Sequence, residues 1–201
     1  MALTCFFNGR AALAETWQLE KQKGKTSVYS QNTESGYKEV LAKTLVKAHP
    51  KALIALLGDI SLAPEWIHNC LEIQVIKDLS PSERLINTFF AAPWPIKDRD
   101  MVTLSTTTIT DDLVQISISD RSEIIASHTK FVRMQNMHGK WKAKPLDNGL
   151  TEITYQGGGD PGGSLPTFIA NKELISSIYH TFLNLNKVIG QEKYQPNEIT
   201  N

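Results

Sequence analysis

The most constraining feature of the chain is a change of hydrophobic period near residue 160. From Cys70 to Gln156 the sequence reads as short strands separated by turn signals. After it, Phe168, Ile175, Ile178, Phe182, Leu185 and Ile189 fall on one face of a helix. Pro166 stands near the start of that helix and Gly190 just past its end, which predicts a helix over 165–189. At 1.5 Å per residue it would be about 37 Å long.

The strand candidates are Leu71–Leu79, Glu83–Ala91, Met101–Thr110, Leu113–Ser119, Lys130–Met137, Lys140–Pro145 and Thr151–Gln156. Ser80-Pro81, Pro93–Pro95, Asp111-Asp112, His138-Gly139 and Asp147–Gly149 supply the turns. Tight turns between short strands imply an antiparallel meander. Upstream, Thr26–Ser30 reads as a strand. Tyr37–Ala48 fits both periods: Val40, Ala42, Thr44 and Val46 alternate, whereas Leu41, Leu45 and Ala48 suit a helix. Lys51–Leu57 is a short helix stopped by Gly58, and Pro64 opens a turn around Trp66. A long amphipathic helix after a large antiparallel sheet predicts an α+β helix-grip fold. The sheet curls around the helix, with room for an internal apolar cavity.

Composition narrows the function. The 201 residues carry 21 basic and 21 acidic side chains, so the net charge is zero. That removes the electrostatic basis for sequence-independent nucleic-acid binding. Five histidines, at 49, 68, 128, 138 and 180, show no ligand spacing, and two cysteines cannot build a four-cysteine zinc site, so no metal or cofactor is expected. His68 and Cys70 would share a strand face, but no orienting carboxylate is identifiable for a Cys–His pair. Glu65, Glu72 and Glu83 do not single out an acid/base pair. Trp66, Trp94 and Trp141 read as core or cavity wall. No repeat or linker divides the chain, so a single domain over 15–194 is expected, followed by a polar tail at 195–201.

Ala12-Leu13-Ala14 has the small-x-small form of an export-signal cleavage site, but the basic start and continuous apolar run of a full signal are missing. Residues 1–14 are therefore read as a truncated export signal or a frayed N-terminus. The first reading gives a periplasmic or secreted protein, the second a cytoplasmic one.

Gly157-Gly158-Gly159-Asp160-Pro161-Gly162 matches G-x-G-x-x-G between a strand and a helix. Too little chain follows to complete a βαβ unit, and Asp160 would repel a phosphate, so nucleotide binding is rejected. The stretch reads instead as a flexible connection, with Gly157, Gly159, Gly162 and Gly163 as a lid hinge. If Arg99 begins the next strand, alternation puts it on one face with Met101, Thr103 and Ser105. A buried arginine must be paired or hold a polar ligand head.

Several segments together resemble the START family of StAR-related lipid-transfer domains. They are Trp17-Gln18-Leu19 with Val28-Tyr29, Asp59 followed by Trp66, and Pro93-Trp94-Pro95 with Asp98-Arg99-Asp100-Met101-Val102. Val132-Arg133, Trp141, Pro145 and Thr154-Tyr155 follow in order, then Asp160-Pro161-Gly162-Gly163 with Pro166 and Asn171. The resemblance spans residues 17–190. It implies noncatalytic binding of one lipid or sterol-like molecule in an apolar tunnel, and transfer between membranes by a monomer that touches the bilayer transiently. It also implies that the last helix and nearby loops form the lid. Arg99 matches an arginine that faces the tunnel in several relatives. Its acidic partner in some of them is not identifiable here; Asn87 and Phe89 lie near where it would fall. The expected wall is Phe89, Arg99, Met101 and Thr103 with Phe168, Ile175, Ile178 and Phe182. The alternatives are a helix-grip cyclase or hydrolase acting on a hydrophobic substrate, and a lipid-sensing adaptor.

Overall fold

The computed structural model describes residues 17–111 and 113–196; the expected export signal lies outside them. The strands are β1 (Gln18–Lys23), β2 (Thr26–Asn32), β3 (Lys38–Val46), β4 (Cys70–Ser80), β5 (Glu83–Phe90), β6 (Arg99–Thr110), β7 (Leu113–Asp120), β8 (Val132–Arg133), β9 (Gln135–Pro145) and β10 (Thr151–Asp160). The helices are α1 (Ala52–Gly58), α2 (Ala63–Trp66) and α3 (Thr167–Val188). One sheet runs in the order β1-β2-β3-β10-β9-β7-β6-β5-β4, with β8 paired to β6. Its pairings are antiparallel apart from β8 with β6, which is parallel. This is the helix-grip architecture that the change of period predicts. No helix among the described residues is long and apolar enough to cross a membrane.

The ambiguous segment resolves as β3. Val40, Ala42, Thr44 and Val46 are buried in strict alternation, while Leu41 and Leu45 lie on the opposite face. The strand wins because β2 and β10 pair it on both sides, satisfying its backbone polar groups. His138-Gly139 is not a turn: β9 runs straight through it, and both residues pair with β7 and with β10.

The glycine stretch is the larger correction. Gly157–Asp160 is the end of β10, not a flexible connection, and Gly157 pairs with Gly139. A Cβ on Gly157 would lie 2.5 Å from the His138 carbonyl oxygen and 2.7 Å from the Tyr155 hydroxyl. These glycines let two strands and a tyrosine close together. Past the end of β10, Gly162 and Gly163 both take the left-handed φ of 70°, in the turn before α3.

Helix α3 is seated on β2 and β3. Phe182 and Leu185 are fully buried, and Ile175 and Ile189 nearly so, against Val28, Val40, Ala42, Trp141 and Ile153. Asn186 donates from Nδ2 to Thr26 Oγ1 at 2.9 Å and accepts from Thr44 Oγ1 at 3.1 Å, so the polar groups under the helix are satisfied. Nearer the start of α3, Asn171 accepts from the Lys38 N–H at 2.8 Å and donates to the Gly36 carbonyl at 3.1 Å, tying the helix to the β2–β3 loop. Glu192–Tyr194, at the end of the expected domain, forms a short 3-10 turn that packs on it. Tyr194 is buried and its hydroxyl donates to Asp59 Oδ2 at 2.9 Å, while Lys193 reaches the same oxygen at 2.9 Å. These contacts with Lys193, Ser61 and Tyr194 hold the Asp59 carboxyl well below the usual carboxylate range.

Two pairs of substitutions test this seating and packing. Phe182→Ala should cost about 3–5 kcal/mol in urea unfolding, whereas Phe168→Ala, at a residue 73% exposed, should change stability by about 0.5 kcal/mol or less. Gly157→Ala should cost about 1–3 kcal/mol because the strand must move to admit the methyl group. Gly58→Ala, where a Cβ would meet nothing within 4 Å, should leave the melting temperature unchanged or slightly raised.

Candidate functional site

The inner face of the sheet does not close completely on α3. Between β4, β5 and β6 on one side and α1 and α3 on the other lies a cavity of about 470 Å³. Its wall is mostly apolar, with Ile86, Phe90, Met101, Ile116, Trp141 and Leu174 among its side chains. This volume lies in the usual range for small-molecule sites.

Register decides which strand residues reach the cavity. Phe90 pairs with Arg99, Thr88 with Met101, Ile86 with Thr103 and Arg84 with Ser105, so these share the inner face. Arg99, Met101 and Ser105 line the cavity. Thr103 shares their face but is fully buried away from the wall, and its hydroxyl has no partner. Phe89 has the opposite parity. It pairs with Asp100, faces outward, and packs on Phe131 with ring centroids 4.9 Å apart.

The outer face holds a buried ion pair. Arg133 donates from Nη2 to Asp100 Oδ2 at 2.8 Å and from Nε to both carboxylate oxygens at 3.1 Å. Its Nη1 donates to the carbonyls of Ser122 at 2.7 Å and Ile125 at 2.9 Å, clipping the β7–β8 loop to the sheet. Asn87 donates to Asp100 Oδ2 at 3.3 Å. Asn87 and Asp100 therefore belong to this clip and not to Arg99.

On α3 the wall is not the stripe that the sequence displays. Ile175 and Phe182 are core, and Phe168 projects into solvent; of the four residues expected, only Ile178 lines the cavity. The other wall residues on the helix include Ala170, Glu173, Leu174, Ser177 and Thr181. They lie about a quarter turn round from the buried stripe. Glu173, Ser177 and Thr181 are polar, so this face carries no hydrophobic period to read. Of the four hinge glycines, Gly159 alone reaches the wall.

One group of the cavity's polar side chains lies at the end where β4 and β6 begin. Arg99 donates from Nη1 to the Lys97 carbonyl and has no carboxylate within 4.0 Å among the described residues. Burial pulls its pKa below the ordinary arginine value, opposed by Asp98. Glu173 Oε1 accepts from Asn69 Nδ2 at 3.1 Å and from Ser177 Oγ at 3.2 Å. The His68 backbone N–H donates to Thr181 Oγ1 at 3.0 Å, and its ring lies 4.8 Å from that of His180. Burial first, and then His180, hold the His68 pKa below its usual 6.5, with Glu173 opposing. His68 therefore partners His180 rather than Cys70. The Cys70 thiol is buried and pushed up to about 11, so it is a poor nucleophile. No group of three or more potential metal ligands occurs among the described residues.

Sequence reasoning missed Glu173, Asn69 and the cavity role of His68, because they come from three separate elements. Trp141 was placed correctly as core or wall and serves as both. Trp94 is neither: it is 93% exposed, while its neighbours Pro93 and Ile96 reach the cavity.

Known proteins share this architecture and sequence pattern. The START domain model matches residues 2–193. An uncharacterized protein of Pseudomonas aeruginosa, PA1579, is 32% identical over 176 residues, 87% of each chain. A STAR-related lipid transfer protein of Xanthomonas axonopodis superposes with a TM-score of 0.79 at 24% identity, covering 87% of this chain and 99% of that one. Human StAR-related lipid transfer protein 5 gives 0.77 at 18%, covering 90% and 88%. An aromatase/cyclase from Streptomyces, Zhui, shares the fold more distantly, with a TM-score of 0.53 at 11% identity, covering 77% and 92%. With a sheet wrapped on its last helix, a cavity between them and a family match across nearly the whole sequence, this chain belongs to the START domain family.

Proposed function

We propose that this protein binds one lipid or sterol-like molecule in the cavity and carries it between membranes without chemical change. The observation that carries the reading is the cavity itself, about 470 Å³ with a mostly apolar wall and polar groups toward its two ends. Each methylene taken from water into such a wall contributes about 0.8 kcal/mol, so ten contribute about 8 kcal/mol. A few fixed polar groups then orient the ligand. The Xanthomonas and human neighbours, named as lipid transfer proteins, support the reading.

Exchange at a membrane needs a surface that tolerates the interface and a way to open. Trp94 stands almost fully in solvent between Pro93 and Ile96, both at the cavity. An indole is well suited to the boundary between headgroups and chains. The hinge in this scheme is the Gly162–Gly163 turn, since Gly157 and Gly159 are held in β10.

A vesicle-to-vesicle transfer assay tests the proposal. The native protein should bind lipid and accelerate its transfer. Ile178→Trp, which places a larger side chain in the cavity, should remain folded by circular dichroism and lose about tenfold or more of the transfer rate. Equal transfer by both proteins, or no lipid uptake by the native one, would contradict it.

A second reading is enzymatic. His68 and Glu173 both line the cavity and could serve acid/base chemistry. Recovering the bound molecule unaltered after prolonged incubation supports the carrier; a converted product supports the enzyme.

A further inference from the structure

Resting on the carrier reading, the polar end of the cavity at Arg99 narrows the class of ligand. Two side chains of opposite charge line this end without pairing to each other. Arg99 offers a guanidinium whose only acceptor among the described residues is the Lys97 carbonyl. Glu173 offers a carboxylate whose Oε1 is held by Asn69 and Ser177, while Oε2 has no partner among the described residues. No cationic group lies within 4.0 Å of Glu173, and no carboxylate within 4.0 Å of Arg99, among those residues. Thr88, 2% exposed and also on the wall, has a hydroxyl without a partner.

The pairing brings these groups to one place. The Ala91 N–H donates to the Asn69 carbonyl at 2.8 Å, and Phe90 pairs with both Cys70 and Arg99. Asn69 and Arg99 are thus about two strand spacings, roughly 10 Å, apart at the backbone. Glu173 reaches this end from α3 through Asn69. At the opposite end Arg84 and Asp78 neutralise each other at 2.6 Å, and Glu83 adds a carboxylate there with no basic side chain beyond that pair to make a zwitterion site. Charges set in a mostly apolar wall call for a partner, and here the partners must come from the ligand.

We propose that this end of the cavity binds a zwitterionic head group bearing a primary ammonium, with Glu173 as the specificity-determining residue. The ammonium donates to Glu173 Oε2. The anionic phosphate accepts from Arg99, and Thr88 donates to an ester or phosphate oxygen. Holding Oε1 through Asn69 and Ser177 fixes the direction of Oε2. A primary ammonium has N–H groups to give it, whereas a trimethylated one has none and is recognised best by aromatic faces.

Three soluble probes with the same lauroyl chain test this: lysophosphatidylethanolamine, lysophosphatidylcholine and lysophosphatidylglycerol, titrated by calorimetry and native mass spectrometry. The native protein should bind the ethanolamine form about tenfold or more tighter than the choline form. Glu173→Gln, which keeps the bonds from Asn69 and Ser177, should reduce that preference to about twofold or less with an unchanged melting temperature. Arg99→Gln should weaken both zwitterions alike and preserve their ratio. Overturning results are a native protein that does not distinguish the two, one that prefers the glycerol form, or a Glu173→Gln protein that keeps the preference. If no probe binds, the carrier reading falls with the inference. If all bind but none depends on Glu173, the inference alone falls.

Discussion

The fold turns on Trp141. This β9 side chain stacks on Phe182 of α3 with ring centroids 5.5 Å apart and planes 6° from parallel. Trp66 meets it edge-on at 6.3 Å and Tyr155 at 4.8 Å. Around this contact the helix is fastened to the sheet, and aromatic contacts of this kind add to the apolar area they bury. The same indole also lines the cavity. The helix is thus gripped on one side and left standing off the sheet on the other. Solid core and cavity are two consequences of one contact.

The cavity persists because the surrounding shell is tied independently of any filling. Asn186 and Asn171 fix the helix to β2, β3 and their loop. Arg133 and Asp100 clip the β7–β8 loop from the outer side, within hydrogen-bond reach of Asn87. A buried pair of this kind is costly to break at one partner. It also leaves Arg99, the neighbour of Asp100 in sequence, free to face inward. Two adjacent residues of opposite charge thus do opposite work: one closes the shell, the other opens onto the site.

Much of the fold was legible because periodicity reports burial directly. The change from period two to a helical stripe predicted both the sheet and α3. Alternation placed Arg99 and Met101 on the inner face. The failures have physical causes. Phe89 was assigned by proximity, yet a one-residue difference in parity turns a side chain to the other side of the sheet. The stripe on α3 showed only the core face, since the cavity face mixes Ala170, Glu173, Leu174 and Ser177. Phe168 belongs to the stripe by spacing but lies in the first turn of the helix, beyond the reach of the sheet. The glycine run looked flexible, although Gly157 is there for close approach of β9 and Tyr155. Of the polar group around Arg99 only the arginine itself was legible, because Asn69, Thr88 and Glu173 join it only after folding.

The proposed ligand recognition rests on where charge is left without a charged partner. The outer surface carries ion pairs such as Lys38–Glu20 and Lys193–Asp59. Arg99 and Glu173, in the mostly apolar wall, pair with neither each other nor another charged group among the described residues. The most direct measurement is native mass spectrometry of the gently purified protein, with organic extraction of whatever it carries. The account predicts one amphiphilic molecule per chain, released only on denaturation or by exchange into vesicles. A protein that is empty as purified and takes up nothing from mixed-lipid vesicles would contradict it.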